Sequence, residues 1–382
     1  MRLLDVFFWG SVAWITYVYL GYPFLLACIG RVYRRPVRRA TIEPSVTIVI
    51  AAFNEEAHIA GTIRNKLDLD YPSSKLQIIV VSDGSSDRTD ELARQFEKSG
   101  VRLIRQIPRQ GKTAALNQAV AAANSELIVF SDANSMYERD ALRRMVANFA
   151  DPAVGYVTGK MVYVNADGSV VGDGCTAYMR YENALRSLES ELGSVVGVDG
   201  GIDAVRRELF VPMRADQLPD FVLPLRVVQQ GYRVVYEPAA VLRESVLNQV
   251  SDEFRMRVRV ALRALWALWD MRVLLAPWCH GLFSWQLWSH KALRYLAFIP
   301  MFALAATSAL LWTEAPLYRL AAIAQLAAYG LVLVGLWAPS WTSLQRLAAL
   351  PSYFVLVNLA SGLAFWRFLR GQKQVLWKPR TG

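Results

Sequence analysis

Long apolar runs lie at both ends of the chain, and short apolar runs alternate with polar segments between them. Residues 6–30 carry no charged side chain, and roughly 20 apolar residues in a helix suffice to cross the hydrocarbon core of a bilayer. Residues 292–312, 317–337 and 347–366 are similarly apolar. The pattern therefore predicts one membrane span before a polar domain and three after it.

The middle of the chain has the pattern of an α/β domain. Short β-branched runs predict buried strands at residues 45–51, 76–82, 101–105, 126–131, 154–164 and 233–236. Helical spacing occupies residues 55–69, 87–98, 112–123 and 176–191. Such alternation predicts a mostly parallel sheet covered by helices on both faces. Ligands of these sheets bind at the carboxyl ends of the strands.

The chain divides by composition into four parts. We predict a first span and basic segment in residues 1–40, the α/β domain in residues 41–251, and spans with a basic tail in residues 291–382. Residues 252–290 interleave Arg with Leu and Trp, which predicts amphipathic helices in the membrane interface. An ordinary surface helix is the alternative for this part.

Charge is concentrated beside the apolar runs. The net charge is +10 and the mean hydropathy +0.23. Five arginines follow the first run directly: Arg31, Arg34, Arg35, Arg38 and Arg39. Such a cluster holds its side of a span in the cytoplasm and attracts anionic lipid. Membrane anchoring is thus favoured over nucleic-acid binding, and we expect no nucleic-acid partner.

The basic tail conflicts with four complete spans. An odd number of crossings after the domain would leave the tail outside, yet it is rich in Arg and Lys at positions 367, 370, 373, 378 and 380. Since basic segments favour the cytoplasm, one apolar run could instead be interfacial or re-entrant. The three cysteines and three histidines show neither disulfide nor metal-ligand spacing.

Acidic and amide side chains follow the first two predicted strands. Asn54 and Glu55 come after the first, and Asp83 follows the second. Because parallel strands end at one edge, these groups should share a crevice, where carboxylates can accept hydrogen bonds from a ribose or base. Helix capping and an Asx-turn are the structural alternatives.

A cation stands at the start of the next helix. Lys112 follows Gly111, so an ammonium group and free backbone N–H donors meet at a helix N-terminus, an arrangement that suits a diphosphate. The glycine that a Walker motif needs five residues earlier is absent, as is a Gly-x-Gly-x-x-Gly fingerprint. These absences disfavour an ATPase or a dinucleotide-dependent dehydrogenase.

The fourth strand ends in a possible metal site. Asp132 and Asn134 are two residues apart, and on an extended chain their oxygens share a face. With diphosphate oxygens and water they can complete an octahedral site for a hard divalent cation, Mg²⁺ or Mn²⁺. A chance pair is the alternative.

The order of these motifs resembles the family 2 glycosyltransferases, which have the GT-A nucleotide-sugar fold. The resemblance covers roughly residues 47–263 and includes Phe-Asn-Glu at 53–55, Ser-Asp-Gly-Ser-Ser-Asp at 82–87, Gly-Lys at 111–112 and Asp-Ala-Asn at 132–134. It implies that Glu55 and Asp83 hold the nucleoside, with Asn54 beside them, and that Lys112 holds the phosphates. Asp132 and Asn134 would serve the metal and ribose side of the donor, although the family more often has Asp in place of Asn134.

Three later segments extend the resemblance. Gly200 and Gly201 match the glycine-containing acceptor segment, for which a tight turn is the alternative. Asp220 matches the catalytic base, with Pro219 in place of its usual acidic neighbour. Arg257 alone agrees with the Gln-x-x-Arg-Trp motif of the processive cellulose, chitin and hyaluronan synthases, and Val258 replaces its Trp. The missing Trp favours transfer of one sugar over polymerisation.

The resemblance implies an inverting, metal-dependent enzyme. Its donor would be a nucleotide-diphosphate sugar, for which we expect a UDP-sugar, and its acceptor a lipid-linked or short glycan. We expect a multi-pass protein of the bacterial plasma membrane with a cytoplasmic catalytic domain, serving exopolysaccharide or envelope glycan synthesis with possible partners from that process. Two alternatives remain: a processive synthase that translocates its polymer, and a non-catalytic membrane scaffold that binds a nucleotide sugar.

Overall fold

The computed structural model describes residues 2–164, 174–245, 250–337 and 343–375. This part of the chain contains one sheet of eight strands, in the spatial order β3-β2-β1-β4-β7-β6-β8-β5. The strands are β1 (Val46–Ala52), β2 (Leu76–Ser82), β3 (Val101–Arg105), β4 (Leu127–Asp132), β5 (Met136–Tyr137), β6 (Val154–Val164), β7 (Asp203–Arg206) and β8 (Arg233–Ser245). The first four are parallel, as predicted, whereas β7 is antiparallel to both its neighbours and β5 to β8. The sheet is therefore mixed.

Helices flank the sheet and form both ends of the chain. Before and within the domain they are α1 (Leu3–Thr16), α2 (Tyr22–Val32), α3 (Ile59–Leu67), α4 (Thr89–Arg94), α5 (Lys112–Ala121), α6 (Ala141–Val146), α7 (Gly174–Leu192) and α8 (Pro219–Gln229). After it come α9 (Val250–Asp270), α10 (Pro277–His280), α11 (Leu282–Leu287), α12 (Leu293–Tyr295), α13 (Phe298–Leu310), α14 (Pro316–Trp337) and α15 (Ser343–Leu369). Two π-helical turns, Tyr17–Gly21 and Trp288–Ala292, join α1 to α2 and α11 to α12.

The sheet is buried on both faces. Val49, Ile79 and Phe130 belong to one apolar core, and Ile48, Val80 and Val129 belong to the other. Successive side chains of a strand point to opposite faces. A strand covered by helices on both sides must therefore be apolar at nearly every position, which is why these strands could be recognised from the sequence.

The first predicted helix begins later than its pattern indicated. Asn54 has a φ of 54°, in the left-handed region that Asn tolerates better than most residues. The chain turns there, and α3 begins only at Ile59. The loop between β1 and α3 therefore remains at the strand-end edge of the sheet.

Three helical segments are long and apolar enough to cross a membrane: Leu3–Val32, Pro316–Val334 and Leu347–Leu369. The span predicted at residues 292–312 is instead divided between two helical segments, Leu282–Tyr295 and Phe298–Leu310, which meet at 56°. If that bent pair crosses as one unit, the described residues hold up to four candidate spans.

The two ends of the described chain contact different parts of the molecule. Arg2 forms an ion pair of 2.6 Å with Glu314, in the turn between α13 and α14, and Tyr318 donates to Asp5 over 2.9 Å. At the other end, the Lys373 ammonium lies 2.6 Å from Asp216 of the α/β domain. The start of α1 thus lies with the α13–α14 turn, and the segment after α15 lies against the domain; Lys378 and Arg380 fall outside the described residues.

Helix α15 packs along α9. A shared apolar core joins Val258, Ala261, Leu262 and Leu265 of α9 to Ala360 and Ala364 of α15. Small residues at such a contact allow two helices to approach closely. The indole of Trp266 also donates to the backbone oxygen of Gln372, over 2.8 Å. Helix α15 therefore runs beside the domain at its carboxyl-terminal end.

Candidate active site

Three strand ends meet at one edge of the sheet. Ala52 pairs with Ser82, and Ala51 pairs with Asp132 in the parallel register of β2, β1 and β4. The loops that follow these strands carry the predicted nucleotide-binding residues. The structure thus brings the three acidic and amide segments together, as the strand order requires.

Asp83 organises the loop that leads into α5. Its carboxylate is completely buried and accepts hydrogen bonds from the Gln106 amide at 2.5 Å, the Gln110 N–H at 2.8 Å and the Gly111 N–H at 3.0 Å. The Arg109 guanidinium lies 3.4 Å from the same carboxylate and 3.4 Å from the centre of the Phe53 ring. Asp83, Arg109 and Phe53 therefore form one wall of the crevice; Gln106 had no recognisable motif in the sequence.

Asn54 and Glu55 link the first two strand-end loops. The Asn54 side-chain oxygen accepts from the Ser86 N–H over 2.9 Å, and the Glu55 N–H donates to the Thr89 hydroxyl over 2.8 Å. The Glu55 carboxylate lies 3.2 Å from His58 and is about 20% exposed. Asn54 thus shapes the crevice, while Glu55 presents a carboxylate at its edge.

Lys112 bridges two carboxylates that come from distant parts of the chain. Its ammonium lies 2.5 Å from Asp132 and 4.0 Å from Asp220. Burial acts to lower the pKa of Lys112, but the charges of Asp132 and Asp220 outweigh it and raise that pKa above its usual value. The side chain therefore remains a cation. It stands at the first residue of α5, and no side chain of the N-cap residue, Gly111, covers the backbone N–H groups there.

Gly200 and Gly201 lie directly against these carboxylates. Both have positive φ angles, 69° and 76°. A Cβ atom on Gly200 would lie 2.8 Å from the Asp220 carboxylate, and one on Gly201 would lie 3.5 Å from that of Asp132. A side chain here would occupy the space beside the carboxylates, which explains why glycine stands at both positions.

The oxygen donors at the end of β4 suit a cation that is bound mainly by its substrate. The Asn134 amide donates over 3.1 Å to Glu244, a buried carboxylate on β8. Within the described residues no group of three or more His, Cys, Asp or Glu side chains could hold a metal ion by itself. Mg²⁺ commonly takes one or two protein oxygens together with substrate phosphates, so the Asp132 carboxylate and the Asn134 carbonyl fit that chemistry.

Arg257 contacts a neighbouring residue of α9 and a ring of α15. It pairs with Glu253 at 2.7 Å and lies over the Tyr353 ring of α15 at 5.4 Å. Val258 stands at the position expected for an aromatic platform, but it is buried in the apolar core between α9 and α15. The residue at this position therefore packs two helices together. The absence of Trp there therefore does not decide between single addition and polymerisation.

Two arginines that the motif comparison passed over point toward the site from α9. Burial lowers the pKa of Arg259, and the charges of Asp132 and Asp220 oppose that shift. Arg263 donates to the Gln217 backbone oxygen and, over 3.2 Å, to the Thr113 hydroxyl. Positions 259 and 263 are four residues apart and share a helix face. The sequence shows that these two arginines share a face of α9, but it does not show that this face is the one directed toward the site.

Asp203 is a buried carboxyl group close enough to Asp220 to feel its charge. It begins β7 and is 1% exposed. Burial and the nearby charge of Asp220 raise the pKa of Asp203 well above its usual value. Sequence reasoning treated this position only as part of the glycine-containing segment.

Residues 47–211 match the family model described as Glycosyl transferase family 2. Over 223 residues the chain is 29% identical to the poly-beta-1,6-N-acetyl-D-glucosamine synthase of Staphylococcus aureus, covering 56% of this chain and 53% of that protein. It is 31% identical over 208 residues to the beta-monoglucosyldiacylglycerol synthase of Trichormus variabilis, covering 52% and 44%. The chain thus spans about half the length of these curated relatives.

A solved structure matches nearly the whole chain. The mannosyltransferase PcManGT from Pyrobaculum calidifontis, in complex with GDP-Man and Mn²⁺, has a TM-score of 0.71 at 23% identity, covering 95% of this chain and 99% of that one. Together with the strand order, this similarity confirms the predicted GT-A fold with apolar helices flanking the domain.

Proposed function

We propose that the chain moves a sugar from a nucleotide-diphosphate donor to an acceptor hydroxyl at the membrane surface, because its residues 47–211 match the Glycosyl transferase family 2 model. The observation that carries this proposal is the meeting of Lys112, Asp132 and Asp220 beneath Gly200 and Gly201. A cation, a metal-binding carboxylate and a potential base are then within one crevice at the strand ends.

The donor would lie along the crevice from Asp83 to Asp132. The nucleoside fits the wall formed by Asp83, Arg109 and Phe53, and a diphosphate fits the start of α5, where backbone donors and the Lys112 ammonium are available. Arg259 adds positive charge on the same side. A divalent metal bound by Asp132 and Asn134, Mg²⁺ or Mn²⁺, would offset the charge of the departing diphosphate.

Asp220 is the residue we assign as base. Its carboxylate is about 30% exposed beside Gly200, where an acceptor can enter. It accepts the proton of the acceptor hydroxyl as that oxygen bonds to the anomeric carbon and the bond to the diphosphate breaks. A single displacement of this kind inverts the anomeric configuration.

The ends of the chain support a particular membrane arrangement. We assign crossings to the α1–α2 segment, to the bent pair Leu282–Tyr295 and Phe298–Leu310, and to α14, because Arg2 at the start of α1 meets Glu314 in the turn between α13 and α14. Helix α15 would lie along the membrane surface beside α9, with the following segment held at the domain by Lys373 and Asp216. Three crossings then place the basic tail on the cytoplasmic side, in agreement with its charge.

Cysteine labelling tests this arrangement. In a background in which Cys28, Cys175 and Cys279 are replaced by Ser, a membrane-impermeant maleimide should label Glu314→Cys in intact cells. Lys373→Cys should react only after permeabilisation, as should Lys98→Cys in the domain. Labelling of Lys373→Cys in intact cells would contradict the interfacial assignment of α15.

A donor panel tests the function. The purified full-length protein, with membrane lipids present, should release nucleoside diphosphate from one member of a panel of UDP-, GDP- and dTDP-sugars. A chelator should abolish that release, and Mg²⁺ or Mn²⁺ should restore it. Binding of a donor without turnover on any acceptor would contradict catalysis and favour a scaffold. Product masses then distinguish single addition from a polymer ladder, the pattern expected of a processive synthase.

A further inference from the structure

A cavity lies between the candidate membrane helices and the α/β domain. Its volume is about 650 Å³, and five tyrosines contribute to its wall: Tyr19, Tyr178, Tyr181, Tyr295 and Tyr353. They come from the first π-turn, α7, α12 and α15. Tyrosine combines an apolar ring with a polar tip, which suits the level of lipid headgroups.

Two cations line this cavity. Arg294 is paired with the buried Glu182 at 2.5 Å. Lys291 also lines the cavity, and no hydrogen bond or ion pair joins its ammonium to another residue in the part of the chain that the structure describes. The Lys291 side chain is half-buried in the cavity wall, where an ammonium without a paired carboxylate can meet an anion. Its presence therefore points to an anion that the cavity receives.

The neighbouring acids are already engaged. Glu182 is shared by Arg294 and His290, the latter at 3.2 Å. Glu189 accepts from the Tyr22 hydroxyl at 2.6 Å and contacts His290 at 2.6 Å. Asp199 is paired with Arg186 at 2.6 Å. Among the described residues none of these carboxylates forms an ion pair with the Lys291 ammonium, which leaves that ammonium accessible to a ligand.

The opposite side of the cavity is apolar and open. Leu20 is 69% exposed and Leu350 is 54% exposed, although both line the cavity. They lie on segments that are apolar enough to cross or enter a membrane. A hydrocarbon chain leaving the cavity there would pass directly into the bilayer.

The charged side of the cavity adjoins the active site. A Cβ atom on Gly197 would lie 2.4 Å from the Lys291 ammonium, and one on Gly200 would lie 2.8 Å from the Asp220 carboxylate. Three residues of extended backbone span at most roughly 10 Å. Arg257, expected to bind acceptor, lies over Tyr353 of the cavity wall. A headgroup bound at Lys291 can therefore extend along residues 197–201 toward Asp220.

We propose that this cavity binds the acceptor, a membrane lipid whose headgroup carries a phosphate. The phosphate pairs with Lys291 beside Arg294, the tyrosines surround the rest of the headgroup, and the hydrocarbon chain leaves past Leu20 and Leu350. This assignment rests on the proposed function for the transfer step, but phosphate-lipid binding can be measured without it.

Farnesyl phosphate is a suitable probe because it joins one phosphate to one apolar chain. It should raise the apparent melting temperature of the purified full-length protein in detergent, with farnesol and inorganic phosphate at least tenfold weaker. Lys291→Gln should raise the half-saturating concentration of farnesyl phosphate about tenfold, which corresponds to about 1.4 kcal/mol. Lys291→Arg should bind nearly as well as the wild type, and the surface variant Lys98→Gln should not differ from it.

The outcomes separate this inference from the proposed function. Unchanged farnesyl phosphate binding in Lys291→Gln would overturn the site, even if sugar transfer were demonstrated. Equal binding of inorganic phosphate would show an anion site without a lipid. If Lys291→Gln proves misfolded by gel filtration, Val357→Trp, which fills the cavity from α15, should reduce binding of both farnesyl compounds, and undiminished binding would overturn the proposal. Lipid binding without turnover on any donor would contradict the function and leave this site standing.

Discussion

Replacing Asp220 by Asn should lower the rate of sugar transfer by about 10²- to 10⁴-fold, the usual contribution of a general base. The amide keeps the shape of the side chain beside Gly200 and Lys112 but cannot accept the acceptor's proton at neutral pH. Donor binding should persist, because the wall formed by Asp83, Arg109 and Phe53 is untouched. Initial rates of nucleoside diphosphate release, measured at saturating donor, would show the loss.

Asp68→Asn is the matched control for this variant. Asp68 is an exposed carboxylate at the end of α3, so its replacement should leave the rate within twofold of the wild type. Undiminished turnover in Asp220→Asn would remove Asp220 from the role of base. Loss of donor binding in the same variant would instead indicate that Asp220 acts by holding Lys112 in place.

Replacing Asp83 by Ala should have the largest effect on stability and on donor binding together. The change leaves the Gln106 amide and the N–H groups of Gln110 and Gly111 without their acceptor. Each unsatisfied buried donor costs about 1–3 kcal/mol, so we expect the free energy of unfolding to fall by about 3 kcal/mol or more. The apparent melting temperature should drop by several degrees, and donor affinity by at least tenfold, because the loop leading to Lys112 is no longer held.

Asp140→Ala provides the comparison. Asp140 forms an exposed ion pair with Arg144 at 2.9 Å, and exposed pairs of this kind contribute only about 0–1 kcal/mol. Its melting temperature and donor affinity should stay close to those of the wild type. A similarly small effect in Asp83→Ala would show that the loop before α5 is positioned by other contacts.

The strand ends were predictable because parallel strands impose their own geometry. Once residues 45–51, 76–82 and 126–131 are recognised as neighbouring strands, Asn54, Asp83 and Asp132 must lie at one edge. The position of β7, a strand of four residues with Asp203 at its start, could not be predicted in this way. Its antiparallel pairing with β4 and β6 depends on contacts between distant segments.

A sequence motif did not identify which arginine of α9 lies near the site. Arg257 was selected for its position in a sequence motif, yet its side chain meets Glu253 and Tyr353. The electrostatic influence of Asp132 and Asp220 falls instead on Arg259. A shift of two residues turns a side chain to another face of a helix, and the packing of α9 between α15 and the domain decides which face meets the site.

The number of crossings was likewise undecided by hydropathy, which could not reconcile four apolar runs with a basic tail. Our proposal of three crossings rests instead on the bend between Leu282–Tyr295 and Phe298–Leu310 and on the packing of α15 along α9. An apolar helix can cross a bilayer or lie along a protein, and its composition alone does not distinguish the two.

The sequence by itself determined the α/β domain, the order of its strand-end motifs and the family resemblance, because apolar periodicity and short motifs are local properties. The tertiary structure alone decided that Lys112 joins Asp132 to Asp220, that Gly200 and Gly201 lie over those carboxylates, and that Lys291 lines a cavity beside them. Lys112 and Asp220, for example, are about a hundred residues apart in the chain. Only the packing of helices against the sheet brings such groups within a few ångströms of each other.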